Sequence, residues 1–209
     1  MVNDDGVTLP DLRFFAFWRS WRSQDGGMAE VPRLADEVVV LDAFSPEDEG
    51  AHLLGEDDEQ ARRFGWFPER STPATVRAAF ARWDEGWRTG GSTRAFAMRE
   101  PGSGTLVGGC EIRLRGEGIG EISYWTFPEH RGKGLATHAV RLLCAFAFSD
   151  LAVNRVEAKV EPDNQSSRRV VEGAGFVEAG YLPNGDRTMS GELRDMVLYS
   201  LLPADLHRR

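Results

Sequence analysis

The chain has 209 residues, of which 41% are hydrophobic, so it is long and apolar enough to bury a core and is not of a disordered class. Its 33 acidic and 25 basic residues give a formal net charge of −8, which argues against a general nucleic-acid-binding protein, since such a protein needs a basic face. No apolar run approaches the roughly 20 residues of a membrane span.

The two cysteines and the first residues point to a cellular compartment. Cys110 and Cys144 have no metal-ligand spacing and form no disulfide framework, so we predict two buried free thiols, no metal and a reducing cytoplasm. Asp4 and Asp5 stand where a signal peptide would carry positive charge, so export is not expected.

Residues 1–29 are predicted to be an N-terminal appendage to a single domain over residues 30–209. A short helix within the appendage would place four aromatic side chains on one face, by their spacing: Phe14, Phe17, Trp18 and Trp21. This face would pack on the body of the protein or on a second subunit, which would make a homodimer. Contact with a membrane surface is the less favoured alternative.

The first half of the domain predicts one strand and two helices. Val38–Leu41 is an apolar run typical of a buried strand. Ser45 is expected to cap a helix that starts at Pro46 and ends near Leu54. A second helix begins at Thr72-Pro73, ends before Gly90, and carries an apolar face: Val76, Phe80, Trp83 and Trp87.

The second half predicts a hairpin, then strands alternating with helices. The predicted strands are Thr93–Arg99, Leu106–Leu114, Glu121–Phe127, Arg155–Val160, Gly175–Tyr181 and Asp195–Leu202. Helices are predicted from about Gly132 to Phe148, and from Asp163 or Asn164 to Gly173. The order β-α-α-β-β-β-α-β-α-β-β predicts an α/β fold with a mixed sheet and helices on both faces.

The run Arg131-Gly132-Lys133-Gly134-Leu135-Ala136 lies between a strand and a helix. The first N–H groups of a helix have no partners within it and attract anions, and glycines allow a phosphate to approach the main chain. Arg131 and Lys133 add positive charge. The run therefore predicts a pyrophosphate site, and the alternative is a glycine turn that only starts a helix.

A second motif follows one strand later: Asn164-Gln165-Ser166-Ser167, then a helix ending before Gly175-Phe176. Together the two motifs resemble the GNAT acetyltransferase superfamily, in its RimJ/RimL-type branch, where the phosphate loop reads [RQ]-x-x-G-x-[GA] and the later segment N-x-x-S. The resemblance covers about residues 36–202. It implies a twisted, mostly antiparallel mixed sheet of about seven strands.

The resemblance also implies a binding mode for acetyl-CoA, with no metal. The cofactor would lie between the strand ending at Phe127 and the strand Arg155–Val160, which splay apart in the family. The residues that would contact it are Trp125, Thr126, Phe127, Arg131, Gly132, Lys133, Gly134, Leu135, Ala136, Thr137, Asn164 and Ser167. A backbone N–H near Phe127 would polarise the thioester carbonyl. Asn164 has the alternative role of a helix cap.

The acid and base are less well defined. Many relatives protonate the thiolate with a tyrosine seven residues after the asparagine, but Val171 stands there, so Ser167 is the candidate donor; an ordinary helix serine is the alternative. Glu111 and Glu121 are candidate general bases, with Asp195 a third. The alternative for either glutamate is a structural salt bridge.

Residues 50–90 are expected to build the acceptor side. Its candidate wall consists of Trp66, Phe67, Glu69, Trp83 and Trp87, although helical spacing favours a core role for the last two. The function implied is transfer of an acetyl group from acetyl-CoA to a primary amine, on a protein N-terminus or a small molecule. The alternative is a non-catalytic module that binds acetyl-CoA.

Overall fold

The structure is a computed structural model that describes residues 30–65 and 69–206. The predicted aromatic helix of the appendage, Trp66 and Phe67 lie outside the described residues.

A single eight-stranded sheet forms the centre of the described chain. Its strands are β1 (Leu34–Ala35), β2 (Val40–Asp42), β3 (Thr93–Arg99), β4 (Leu106–Leu114), β5 (Ile119–Thr126), β6 (Arg155–Val160), β7 (Val177–Arg187) and β8 (Leu193–Leu201). They lie in the order β1-β2-β3-β4-β5-β6-β8-β7, and every neighbouring pair is antiparallel except β5 and β6. The mixed, mostly antiparallel sheet is thus confirmed, with eight strands in place of about seven.

Within residues 30–65 and 69–206, five α-helices connect the strands: α1 (Asp48–Gly55), α2 (Asp58–Phe64), α3 (Pro73–Arg88), α4 (Leu135–Asp150) and α5 (Gln165–Gly173). The caps explain two of them directly. Thr72 caps α3 with its hydroxyl, and Pro73 occupies the first helical turn. Asn164 caps α5 by accepting the Ser167 N–H at 3.1 Å.

Helices cover both faces of the sheet. The larger apolar core lies on the α4 face, where Leu143, Phe146 and Cys144 of that helix meet strand residues such as Ile112 and Val156. A smaller cluster occupies the other face near the ends of β4 and β5: Ala97, Leu106, Trp125 and Phe127, with Phe44, Phe64 and Trp83 packed against them. Both cysteines are buried free thiols, as predicted.

The α1 and α2 region differs from the prediction. Helix α1 begins at Asp48, and Ser45 does not cap it, because the Asp48 carboxylate accepts the Ser45 N–H at 2.8 Å and is itself held by Arg99. Helix α2 was not predicted, although Asp57 caps its start and Gly65, in the left-handed region with a φ of 84°, ends it.

Candidate functional site

The parallel strands β5 and β6 stay paired over only part of their length. Their register runs from Ile119 opposite Arg155 to Ile122 opposite Ala158, and β5 continues to Thr126 without β6 beside it. A cleft of about 500 Å³ lies at this opening. Its lining comes from α2, the end of β5 and the first turns of α4 and α5: Glu59, Gln60, Arg63, Phe64, Tyr124, Trp125, Thr126, His130, Arg131, Gly132, Gly134, Leu135, Ala136, Thr137, Asn164, Ser166, Ser167, Arg169 and Val170.

The glycine turn forms one end of the cleft. Gly132 and Gly134 have φ angles of 75° and 80°, a region that side chains other than glycine rarely adopt. A Cβ atom built on either residue would meet no heavy atom within 4 Å among those described, so the space beside the main chain is open. The first bond of α4 runs from the His138 N–H to the Gly134 carbonyl, which leaves the preceding amides without an acceptor inside the helix. The arrangement suits an anion.

Arg131 is already engaged with two acidic side chains. Its guanidinium makes a two-pronged contact with the Asp57 carboxylate at 2.7 and 2.9 Å and lies 3.3 Å from Glu59, while its Nε donates to the Thr126 carbonyl. Burial alone would raise the pKa of Asp57, but the bonds from Arg131 and the Gln60 N–H lower it instead. Arg131 therefore ties the start of α2 to the end of β5.

The hydrogen-bond register decides which main-chain groups of β5 face the opening. The Phe127 N–H donates to the Val107 carbonyl at 2.9 Å, one residue beyond the last pair of the β4–β5 register, Gly108 and Thr126. Directly opposite residues of an antiparallel pair bond at alternate positions, so Trp125 also bonds toward β4. The main-chain groups of Tyr124 and Thr126 then point toward β6. Of the predicted contact line Trp125–Phe127, only Thr126 presents its main chain to the cleft.

The other side of the cleft carries Asn164 and Ser167 at the start of α5. The Ser167 hydroxyl lies 2.7 Å from the Tyr124 hydroxyl, and the Tyr124 hydroxyl also lies 3.1 Å from the Ser167 carbonyl. Tyr124 was missed by the sequence analysis, since strand β5 alone does not reveal which helix its side chain meets. Val171, where many relatives have tyrosine, is fully buried.

Glu111 and Glu121 lie outside the cleft lining, on one face of β4 and β5. Glu111 is only 7% exposed, accepts a bond from Ser123 Oγ at 3.1 Å, and contacts Arg113. Glu121 contacts Arg115 and lies 3.3 Å from Lys159. Burial would raise the pKa of Glu121, but these cations outweigh it and lower the pKa.

Asp195, the third candidate base, is part of a hairpin. It accepts bonds from the Tyr181 hydroxyl and the Asn184 N–H, which join β7 to β8 away from the cleft. These bonds hold the pKa of Asp195 below its usual value. The contacts of this carboxylate are those of a structural residue.

The described residues of the predicted acceptor wall, Glu69, Trp83 and Trp87, occupy three different environments. Trp87 is buried and donates its indole N–H to the Ala95 carbonyl at 2.9 Å, so the core role holds for it. Trp83 stacks on Trp125 and on Phe44, with ring centroids 5.9 and 4.7 Å apart, and so lies behind the cleft wall that Trp125 forms. Glu69 is exposed and does not line the cleft.

Two histidines that the sequence does not single out as site residues lie in the cleft lining or against its aromatic wall. His52 of α1 packs its ring 6.0 Å from those of Trp125 and Phe127, and burial lowers its pKa. His130 lines the cleft in the turn before Gly132. Buried atoms without a hydrogen-bond partner in the described part of the chain include His52 Nδ1, Trp125 Nε1 and His130 Nδ1.

The cleft brings together ten of the twelve predicted cofactor residues, and Phe127 and Lys133 lie outside its lining. Within residues 30–65 and 69–206, three or more His, Cys, Asp or Glu side chains nowhere gather as a metal would need. Among the helices of the same residues, none has the length and apolar character to cross a membrane.

Comparisons with known proteins point to one family. The model of the Acetyltransferase (GNAT) domain matches residues 39–177, more than half of the chain. The chain is 32% identical over 114 residues to the N-acetyltransferase p20 of Bacillus licheniformis, which is itself uncharacterized, covering 54% of this chain and 64% of p20. It is 43% identical over 82 residues to YdaF of Bacillus subtilis, whose name proposes a ribosomal N-acetyltransferase, covering 39% and 44%. The matches thus span less than two thirds of these relatives.

Among solved structures, the fold resembles Mycobacterium smegmatis RimJ in complex with CoA-disulfide. The TM-score is 0.71 with 24% identity, and the match covers 88% of this chain and 91% of that one.

Proposed function

Because the chain belongs to the GNAT acetyltransferase family, we propose that it transfers an acetyl group from acetyl-CoA to a primary amine by direct attack of the amine on the thioester. The observation that supports this most is the opening between β5 and β6, with the glycine turn at one end and Asn164 with Ser167 at the other. These features come from separate parts of the chain and meet at one cleft.

The pyrophosphate of CoA would bind at the start of α4. The amides of Gly132, Gly134 and the three residues Leu135–Thr137 would donate to it, and Lys133 would add positive charge nearby. Arg131 would act from the side, because its guanidinium already holds Asp57. Asn164 would both cap α5 and contact the pantetheine.

The main-chain groups of Tyr124 and Thr126, which face the opening, would pair with the pantetheine as an added strand would, and one of their N–H groups would polarise the thioester carbonyl. This role was expected of an N–H near Phe127. The Phe127 N–H is used inside the sheet by Val107, whereas Thr126 is directed to the open side. Trp125 and Phe127 would then contribute through their side chains, which shape the acceptor side.

Glu111 is the better placed of the two candidate bases. It lies opposite Ser123, the first residue of β5 beyond the paired region, on the sheet face that carries the Trp125 ring. Glu121 lies opposite Glu157, where the sheet is closed, and three cations surround it. We therefore assign proton removal from the amine to Glu111, directly or through a water, and a structural role to Glu121.

The acceptor is a primary amine on a protein N-terminus or on a small molecule. The name of YdaF, which proposes a ribosomal N-acetyltransferase, favours an amine of a protein. A cytoplasmic location and a homodimer stay predictions.

The release of free CoA thiol in the presence of different amines tests this proposal. Peptides with free N-terminal amines, a polyamine and an aminoglycoside would each be mixed with acetyl-CoA and the full chain. We expect at least one to accelerate thiol release and to gain an acetyl group by mass spectrometry. If acetyl-CoA binds but neither an amine nor a cell extract accelerates release, the non-catalytic binding module is correct instead.

A further inference from the structure

Tyr124 is a hydroxyl-bearing residue of the cleft to which the family motifs assign no role. It belongs to β5, lines the cleft, and its ring packs against the core on the α4 face. Its neighbours Ser123 and Trp125 point to the opposite face, because side chains alternate along a strand. Tyr124 therefore reaches α5 from the far side of the opening, at the residue proposed to assist the leaving sulfur.

The distances between the two hydroxyls allow two arrangements. Tyr124 has one O–H proton and two acceptors on the same residue, the Ser167 carbonyl at 3.1 Å and the Ser167 Oγ at 2.7 Å. If Tyr124 donates to the carbonyl, Ser167 must donate its own proton to the Tyr124 oxygen. If Tyr124 donates to Oγ, the Ser167 proton is free to point into the cleft.

We propose that Tyr124 is a positioning residue for departure of the thiolate: by donating to Ser167 Oγ, it turns the Ser167 proton toward the sulfur of CoA. The two hydrogen bonds, from Tyr124 O–H to Ser167 Oγ and from Ser167 O–H to sulfur, strengthen as negative charge develops on the sulfur, because hydrogen bonds in series polarise one another. Neither hydroxyl gives up its proton. The amine nitrogen bonds to the carbonyl carbon and loses a proton to Glu111, while the C–S bond breaks and its electron pair stays on sulfur. The thiolate takes a proton from water afterwards.

Two surrounding features support this arrangement. Burial raises the pKa of Tyr124, so its hydroxyl stays protonated and can act as a donor throughout the neutral range. Ser167 also lies in the first turn of α5, a helix of nine residues, whose positive end favours a nearby anion. The Ser167 N–H is taken by Asn164 Oδ1, so the hydroxyl is the group of Ser167 that remains to meet the sulfur.

The inference rests on the proposed function, but its test needs no acceptor. The pKa of the thiol of bound CoA can be measured from the ultraviolet absorbance of the thiolate as the pH is raised. The same titration with desulfo-CoA, which has no thiol, gives the absorbance change of the protein alone, and this is subtracted. We expect the pKa of the bound thiol to lie about one unit below that of free CoA in the wild-type chain. Most of this shift should be lost in Tyr124→Phe and in Ser167→Ala.

Tyr199→Phe is the matched control. The Tyr199 hydroxyl accepts from Arg168 at 2.8 Å and donates to Glu172 at 3.0 Å, and Tyr199 does not line the cleft. The Tyr199→Phe variant should lower the pKa of the bound CoA thiol as much as the wild-type chain does. The inference is overturned if the bound thiol titrates like free CoA in the wild-type chain, or if Tyr124→Phe or Ser167→Ala keeps the full shift. A chain that shifts the thiol but acetylates no amine would instead contradict the proposed function.

Discussion

The two sides of the cleft differ in whether main-chain groups or side chains form them. The side proposed to hold CoA consists largely of main chain: the amides of a glycine turn, the open edge of β5 and the capped start of α5. The side proposed to receive the amine consists of side chains of α2 and the Trp125 ring, with Phe44 and with Trp83 of α3 packed behind them. The main-chain side would bind the same phosphate and pantetheine whatever the acceptor is, whereas exchange of side chains on the other side would change the acceptor.

The largest expected effect comes from a substitution in the glycine turn, on the main-chain side of the cleft. Gly134→Asp should weaken acetyl-CoA binding by more than about 100-fold, because a carboxylate would stand in the open space where the pyrophosphate is proposed to bind. Titration calorimetry would measure the dissociation constant.

Gly102→Asp is the control for backbone strain in this experiment. Gly102 lies in the turn between β3 and β4 with a φ of 82°, and a Cβ there also meets open space. It should cost a comparable amount of stability, of the order of 1 kcal/mol, and leave binding unchanged. Wild-type affinity in Gly134→Asp would remove the turn from the site.

The same division explains what the sequence predicts. The spacing of Arg131–Ala136 and Asn164–Ser167 predicts the main-chain side, because a glycine turn and a helix cap are local features with local signals. Strands β3, β4 and β6 were predicted at their observed bounds for the same reason, since each is a short apolar or alternating run between turn residues.

Non-local contacts could not be predicted in this way. The bond between Tyr124 and Ser167 joins residues 43 apart, and the salt bridge between Arg131 and Asp57 joins residues 74 apart. Each depends on the crossing of two elements, which residue spacing does not encode. The register that directs Thr126 rather than Phe127 to the opening likewise needs the pairing of β4 with β5.

A second prediction compares two glutamates on one sheet face. Glu111→Gln should lower kcat/KM at least about tenfold, because a carboxamide cannot accept the proton of the amine. Glu121→Gln should lower kcat/KM less than about threefold. It should reduce the free energy of unfolding by about 1 kcal/mol at neutral pH, a small value because solvent screens the partly exposed cations around Glu121. Steady-state rates and thermal unfolding would separate the two effects.

The pH dependence of unfolding sharpens this comparison. The folded-state pKa of Glu121 is lowered, so its stabilising contribution is present above its unfolded value of about 4.5 and is lost as the pH falls through the folded pKa. The stability difference between the wild-type chain and Glu121→Gln should therefore shrink below about pH 4.5. Equal losses of activity in both glutamine variants would argue against Glu111 as the base.

The smallest expected effect concerns the two roles of Asn164. Asn164→Ala should reduce stability by about 1 kcal/mol, through loss of the α5 cap, and should weaken acetyl-CoA binding several-fold. Asn164→Ser keeps a capping oxygen and should restore the stability but not the affinity. If Asn164→Ser restores both, Asn164 serves the helix alone.

A crystal structure of the full chain with acetyl-CoA tests the central claim most directly. The pyrophosphate should lie on the amides of residues 132–137, and the pantetheine should run between Thr126 and β6, with the sulfur within hydrogen-bond reach of Ser167 Oγ. Acetyl-CoA bound with its pyrophosphate away from the glycine turn, or with its thioester outside the opening of β5 and β6, would contradict the assignment.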